Sequence, residues 1–334
     1  MKKRLAFIDH NFHQKSRSAD FLREIFKKFY IIDNFWWSLK DEYKLVEAVK
    51  DYDNFFFFQS LLPLDDMLFL RNKNVMWAPM YDNLSQSNNY WKKIKYLNIK
   101  ILSFSSPVKK LALRYECKYL SLKYSVRNIR EKALKKNKIS IFFWFRNNIK
   151  FYDWIRKFNS NTINKIVFFN CPDPGRKHDK INEEDIKKFN IHMIKKSFLP
   201  KKKYISLIKK CEVFICPRKQ EGIGMSFLEA MSMGKYLISY NDASMSDYIT
   251  NNKIGFLLDK NNSKTVNVND VIKYKTYRNK IAKNMYINWT KSKSKIIKFF
   301  MVKNTNSKKN ILKEFLFIPD YILRLKKKIK NLII

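Results

Sequence analysis

Glu221 and Glu229 stand eight positions apart in PRKQEGIGMSFLEAMSMGK, residues Pro217–Lys235, and two of the chain's five glycines, Gly222 and Gly224, lie between them. Glycines let a backbone approach a ligand closely and adopt positive φ. A helix beginning at Met225 or Ser226 turns its unpaired N–H groups, and the positive end of its dipole, toward the same space. That combination holds an anion, most readily a phosphate. Carboxylates at the mouth of such a site are unfavourable unless they serve hydroxyl groups, and a carboxylate accepts well from a vicinal diol. Glu221 on the loop and Glu229 inside the helix therefore suit the two ends of a nucleotide-sugar lying across the helix N-terminus.

The elements around this loop must position it. CEVFICP before it is continuous and apolar, as in a strand buried on both faces of a parallel sheet, and the loop after such a strand lies at the carboxyl edge where α/β proteins bind ligands. Gly234 ends the helix as a C′ glycine. A dinucleotide fingerprint is the rival, since Gly222, Gly224 and Asp242 match part of it. Its third glycine is Phe227 here, which obstructs close helix–strand packing.

Strand-like runs alternate with helical ones in two successive stretches. RLAFID, YIID, NFFFFQS, NVMWAPM and KILSFSS read as strands of the first, with helices in SADFLREIFKKF and KDEYKLVEAVK. ISIFFWF, KIVFFN, IHMI, CEVFICP and KYLISY are strands of the second, separated by helices that include IKFYDWIRKF and KKYISLIKK. Such alternation implies βαβ units and parallel sheets. The polar stretch Asn128–Lys138 marks a boundary, giving domains at 1–136 and 137–290 and a basic helical segment at 291–334.

With 334 residues and 46% hydrophobic content the chain can bury two cores. Its beginning, MKKRLAFIDH, reads as a strand rather than a signal peptide. The four cysteines form no CxxC pair and read as buried thiols. A net charge of +40 favours anionic partners. Because lysine is spread along the whole length with Asn and Ile, nucleic acid is the weaker choice, and a non-catalytic polyanion-binding protein is the alternative reading.

Cys211–Asp259 resembles the EX7E donor-site pattern of retaining family 4 glycosyltransferases of the GT-B fold. The pattern is a buried strand, "P", a polar linker, "EG.G...LEAM..G", a strand, then a short acid-bearing helix and "G.L". The resemblance implies two Rossmann-like α/β domains facing across a cleft, acceptor domain first and donor domain second. It implies a hexosyltransferase moving sugar to a glycan or lipid-linked acceptor in surface polysaccharide, lipopolysaccharide or capsule synthesis. Glu229 would bind the ribose, and Glu221 would hold sugar hydroxyls and stabilise the transition state. Gly222, Gly224, Met225 and Ser226 would line the donor phosphates. Arg146 and Lys150 stand where the family carries its diphosphate clamp, although Phe145 replaces the glycine usual before that Arg; Arg218 and Lys219 could share the task.

On the acceptor side the loop Asp9–Phe21 carries His10, His13, Lys15 and Ser16, with His13 a catalytic or orienting candidate. Ser16, Ser18 and a helix N-terminus at Ser18–Asp20 would supply donors. Tyr81 and Asp82 fall at the same sheet edge, as does Gln59. No DxD arrangement or histidine cluster suggests a metal, so no cofactor and no metal are expected. The final PDYILRLKKKIKNLII spaces Ile322, Leu325, Ile329 and Leu332 among basic residues, which suits an anionic membrane surface or packing on the first domain. The expected location is cytoplasmic, peripheral at the inner face of the membrane.

Overall fold

The computed structural model describes residues 2–37, 42–61, 64–129, 137–146, 149–173, 175–195, 199–259 and 264–302. The chain divides into two units, one of Met1–Leu122 with Lys291–Ile334, the other of Lys123–Thr290. Each is built on one six-stranded, wholly parallel sheet.

In the first unit β1 (Lys3–His10), β2 (Tyr30–Trp37), β3 (Asn54–Gln59), β4 (Asn74–Pro79), β5 (Lys100–Ser103) and β6 (Tyr119–Ser121) lie in the order β2-β1-β3-β4-β5-β6. The run NFFFFQ of β3 is apolar without alternation because both its faces are covered: Phe55 to Phe58 are all essentially inaccessible. The strand order reverses between β1 and β3. Ligands of open α/β sheets bind outside the carboxyl ends of strands at such a reversal, and the loops there begin at His10 and Gln59. Gln59 itself is left-handed at φ 67°, a sparsely populated conformation for a non-glycine residue.

In the second unit β7 (Ile139–Phe145), β8 (Ile163–Asn170), β9 (Ile191–Ile194), β10 (Val213–Ile215), β11 (Tyr236–Tyr240) and β12 (Gly255–Leu258) lie in the order β12-β11-β10-β7-β8-β9. Here the reversal falls between β7 and β10, whose carboxyl ends lead to Arg146 and to the Glu221 loop. Gly255 is required where β12 meets β11, since a Cβ there would stand 2.1 Å from the Leu237 carbonyl oxygen.

The boundary read at 136/137 lies earlier in the structure. Tyr124 packs edge-on to Trp289 at 4.9 Å, its carbonyl accepts from the Tyr248 hydroxyl at 3.1 Å, and the Ile129 N–H donates to the Ser232 carbonyl at 2.9 Å. These contacts carry the connecting segment into the second unit. The sequence reading also missed the helices Asn88–Tyr96 and Ser106–Arg114 and the short strands β6 and β12. IKFYDWIRKF forms only the single turn Phe151–Trp154 followed by a 3-10 turn at Ile155–Lys157.

A helix of 27 residues, Lys275–Met301, leaves the second unit and ends in the first. Its end is tied down there by buried Lys100, whose ammonium donates to the carbonyls of Phe300 at 2.7 Å and of Val302, and to Asn74 Oδ1 at 2.7 Å. A cation at a helix C-terminus meets carbonyls that have no partner within the helix. The basic amphipathic stretch after Pro319 lies outside the described residues.

Candidate functional site

The loop from Cys216 to Gly224 is fixed by short backbone contacts before any ligand is considered. The Ser244 N–H donates to the Lys219 carbonyl at 2.9 Å, and the Ser244 hydroxyl accepts from the Glu221 N–H at 2.8 Å. Cys216 donates its thiol to the Arg218 carbonyl at 3.1 Å; burial, together with the charge of Glu221, pushes that thiol up to about 12. It is a packing group, not a nucleophile.

Gly224 is the N-cap of the helix Met225–Ser232 and is left-handed at φ 62°. A Cβ there would lie 2.6 Å from Met245 Sδ, so conformation and space both call for glycine. Gly222 does not share that conformation; the expectation of positive φ at both glycines holds for Gly224 alone. Gly222 is buried in the loop. At the other end of the helix, Gly234 is left-handed at φ 66°. Buried Arg278 donates to its carbonyl at 2.9 Å and also to the carbonyls of Lys253, Asp270 and Val271. Desolvation lowers this guanidinium to about 10.

Glu221 is 9% exposed. Its Oε1 lies 4.0 Å from Nη1 of Arg146, which follows β7 directly. Arg146 also stacks on the Trp144 ring at 4.8 Å and donates from Nε and Nη2 to Oδ1 of Asp173 at 3.0 and 2.8 Å. Arg218 pairs with the other oxygen of the same carboxylate. Burial raises the Asp173 carboxyl, but the two arginines outweigh it and hold it below its ordinary value. One acid thus brings Arg146 and Arg218 together at the β7/β10 reversal. Lys219 lies 3.6 Å from Asp242 Oδ2 and 4.0 Å over the Tyr240 ring.

Lys150 is not gathered into this group. It is exposed, precedes the turn Phe151–Trp154, and its N–H donates to Asp153 Oδ2 at 2.8 Å. The cation placed beside Arg146 is instead Arg218. Met225 and Ser226 open the helix as read, both half-buried. Glu229 faces Lys201, Nζ to Oε1 2.9 Å.

In the first unit the loop after β1 contains an unforeseen short helix, Phe12–Ser16. Its turn carries His13 back over β1, where Nδ1 lies 2.5 Å from Oδ1 of Asp9. Asp9 is fully buried; it accepts from the His10 N–H at 2.8 Å, and its second oxygen accepts from Arg23 Nη2 at 2.8 Å. The His13 ring is itself buried and packs edge-on to Phe58 at 5.3 Å. His10 turns inward differently, accepting from the Phe12 N–H at 3.2 Å. The helix expected from Ser18 begins at Asp20 with Ala19 as its N-cap and no side-chain cap bond. Ser16 and Ser18 hydrogen-bond each other at 2.8 Å, so neither caps that helix. Lys15 is exposed, and Tyr81 and Asp82 sit half-buried in a short turn after β4.

Sequence reasoning missed Asp9, Asp173, Lys201 and Arg278. The spacing Asp9–His13 was a readable i, i+4 signal; the partners of Asp173 are distant in sequence and had no local sign. Among the described residues no group of three or more His, Cys, Asp or Glu could hold a metal, and no helix is long and apolar enough to cross a membrane.

Residues 174–287 match the sequence profile of the family described as "Glycosyl transferases group 1". No curated protein sequence matches the chain. Among solved structures, a glycosyltransferase from Rickettsia africae superposes with TM-score 0.60 at 14% identity, covering 92% of this chain and 100% of that one. Anabaena HepE, solved with UDP and glucose, gives 0.56 at 10%, covering 89% and 98%. The lipopolysaccharide outer core galactosyltransferase WaaB gives 0.56 at 12%, covering 89% and 99%. The two parallel six-stranded sheets with their helices are the GT-B fold.

Proposed function

We propose that this chain, with a group 1 glycosyltransferase segment on a GT-B frame, is a retaining transferase. It moves a hexosyl group from a nucleotide-sugar to a growing glycan or lipid-linked acceptor in surface polysaccharide synthesis. The observation that carries this reading is the meeting, at the β7/β10 reversal, of a helix N-terminus, a pair of arginines and the Glu221 carboxylate, with Glu229 further along the same helix. A diphosphate needs the first two. The carboxylates serve what flanks it: Glu229 accepts from the ribose diol and Glu221 from the hydroxyls of the sugar.

Arg146 and Arg218 neutralise the leaving nucleoside diphosphate as the sugar–phosphate bond breaks. Fixed donors and charges act most strongly where charge develops in the transition state. Glu221, beside Arg146, faces the oxocarbenium-like sugar. The first unit takes the acceptor, with His13 held by Asp9 as the group that orients or deprotonates a hydroxyl. The reaction as read uses no metal. The similar structures support the donor and the pathway class: HepE was solved with UDP and glucose, and WaaB is a lipopolysaccharide outer core galactosyltransferase. The basic amphipathic C-terminal sequence supports attachment to the inner face of an anionic membrane.

The test is a screen of common nucleotide-sugars incubated with the protein and no acceptor. Slow release of nucleoside diphosphate from one donor identifies it. A protein that hydrolyses none, and binds nucleic acid tightly at physiological salt, is the polyanion binder instead.

A further inference from the structure

Two side chains of the helix Lys201–Lys209 approach Glu229. Lys201, itself 74% exposed, holds the carboxylate at 2.9 Å. Tyr204 follows on the same face. Its ring packs against Phe142 at 5.5 Å and Trp144 at 5.7 Å, the latter being the residue on which Arg146 stacks. The hydroxyl is enclosed and meets no hydrogen-bond partner. The charges that act on it are those of Glu229, Glu221 and Arg146, the groups read as the donor site. Ser226 stands beside it without the geometry of a hydrogen bond.

A buried hydroxyl without a partner is destabilising, and buried polar groups are nearly always satisfied. Phenylalanine would fill the same aromatic niche without that cost. The hydroxyl is explained if its partner arrives when the nucleotide does. Burial, with the charge of Glu229, holds the phenol well above its ordinary value, so it remains protonated and able to donate.

We propose that Tyr204 is a positioning residue for nucleotide binding, its hydroxyl donating to the Glu229 carboxylate once a ribose diol draws that carboxylate from Lys201. The diol and Lys201 compete for the same oxygens. A second donor on the protein side fixes the carboxylate in the orientation the diol requires and satisfies the hydroxyl. The inference rests on the reading of Glu229 as the ribose acceptor.

The experiment is calorimetric titration of the full chain with UDP, GDP and ADP, and with the 2′,3′-dideoxy form of the tightest binder. It is run on the wild type, Tyr204→Phe and Glu229→Ala, beside thermal unfolding of each. Tyr204→Phe should unfold at the same or a higher temperature yet bind the ribonucleotide about tenfold more weakly, the scale of one hydrogen bond to a charged group. Its affinity for the dideoxy form should equal that of the wild type. Unchanged ribonucleotide affinity in Tyr204→Phe while Glu229→Ala is impaired overturns this inference alone. So does equal loss for both nucleotide forms, or a Tyr204→Phe chain that fails to fold, because the hydroxyl is then structural. Full affinity in Glu229→Ala, or no binding of any nucleotide by the wild type, overturns the underlying reading as well.

Discussion

Nη2 of Arg146 lies 2.8 Å from Oδ1 of Asp173, and this single acid also holds Arg218. The two guanidiniums are thus held by one carboxylate with reduced side-chain freedom, as the proposed diphosphate clamp requires. Arg146→Ala should lower affinity for the nucleoside diphosphate by about tenfold or more while leaving the nucleoside nearly unaffected, as expected for a charge-assisted contact. Lys150→Ala should change neither. Equal losses for both ligands in Arg146→Ala, or a larger effect at Lys150, would move the clamp elsewhere; titration calorimetry distinguishes these outcomes.

The same acid gives a pH dependence. The Asp173 carboxyl is held below its ordinary 3.8 in the folded chain. Its contribution to stability is therefore present above that value and lost as pH falls through the lower, folded one. Asp173→Asn should unfold several degrees below the wild type at neutral pH, at about 2–4 °C per kcal/mol for a unit of this size. The gap should narrow below pH 4. A gap that is constant down to pH 3 would mean that the carboxylate charge is not what holds the arginines.

Lys100 gives the opposite end of the pH scale. Burial, with help from Lys118, lowers its ammonium from 10.5 to about 8. The folded state binds fewer protons than the unfolded one between those values, so this group favours folding increasingly as pH rises through them. Compared with Lys100→Met, the wild type should gain stability between pH 7.5 and 10. Parallel unfolding temperatures across that range would contradict the assignment.

His13→Ala should reduce transfer about a hundredfold, the lower range for a positioned acid–base group, with donor affinity unchanged. Asp9→Asn should lower transfer in the same direction, through loss of the contact that holds the His13 ring, with donor affinity unchanged. If either variant loses donor affinity in proportion to turnover, the pair supports the fold instead of the reaction.

Much of this architecture was legible because its signals are local. The unbroken apolar runs Phe55–Phe58 and CEVFICP announced buried parallel strands, and Gly224 before Met225 announced the start of a helix. Two elements were not: the short helix Phe12–Ser16 has no acid in its first turn, and β12 at Gly255–Leu258 opens on a glycine, which is a weak strand former. What the sequence could not offer were contacts made by folding. Asp173 meets Arg146 and Arg218 across 27 and 45 positions. Lys201 reaches Glu229 from a helix whose Tyr204 packs on Phe142 and Trp144 of β7. The resemblance pointed to the two glutamates, and the structure supplied their partners.

Truncation before Pro319 should release the protein from anionic vesicles, each basic residue lost costing about 1 kcal/mol of attraction at the surface. Cosedimentation with anionic and neutral vesicles reads this directly. Retention of the truncated chain on anionic vesicles would place the attachment elsewhere.

On the proposed reading Glu221 and Glu229 divide the donor between them, one serving the sugar and the other the ribose. The most direct measurement compares acceptor-free donor turnover and nucleoside diphosphate affinity in Glu221→Gln and Glu229→Ala. Glu221→Gln should lose turnover by a hundredfold or more, about the scale of one transition-state contact, while keeping wild-type affinity for the nucleoside diphosphate. Glu229→Ala should lose that affinity, by roughly 1.5–3 kcal/mol for a hydrogen bond to a charged group. Full turnover and full affinity in both variants would contradict the account.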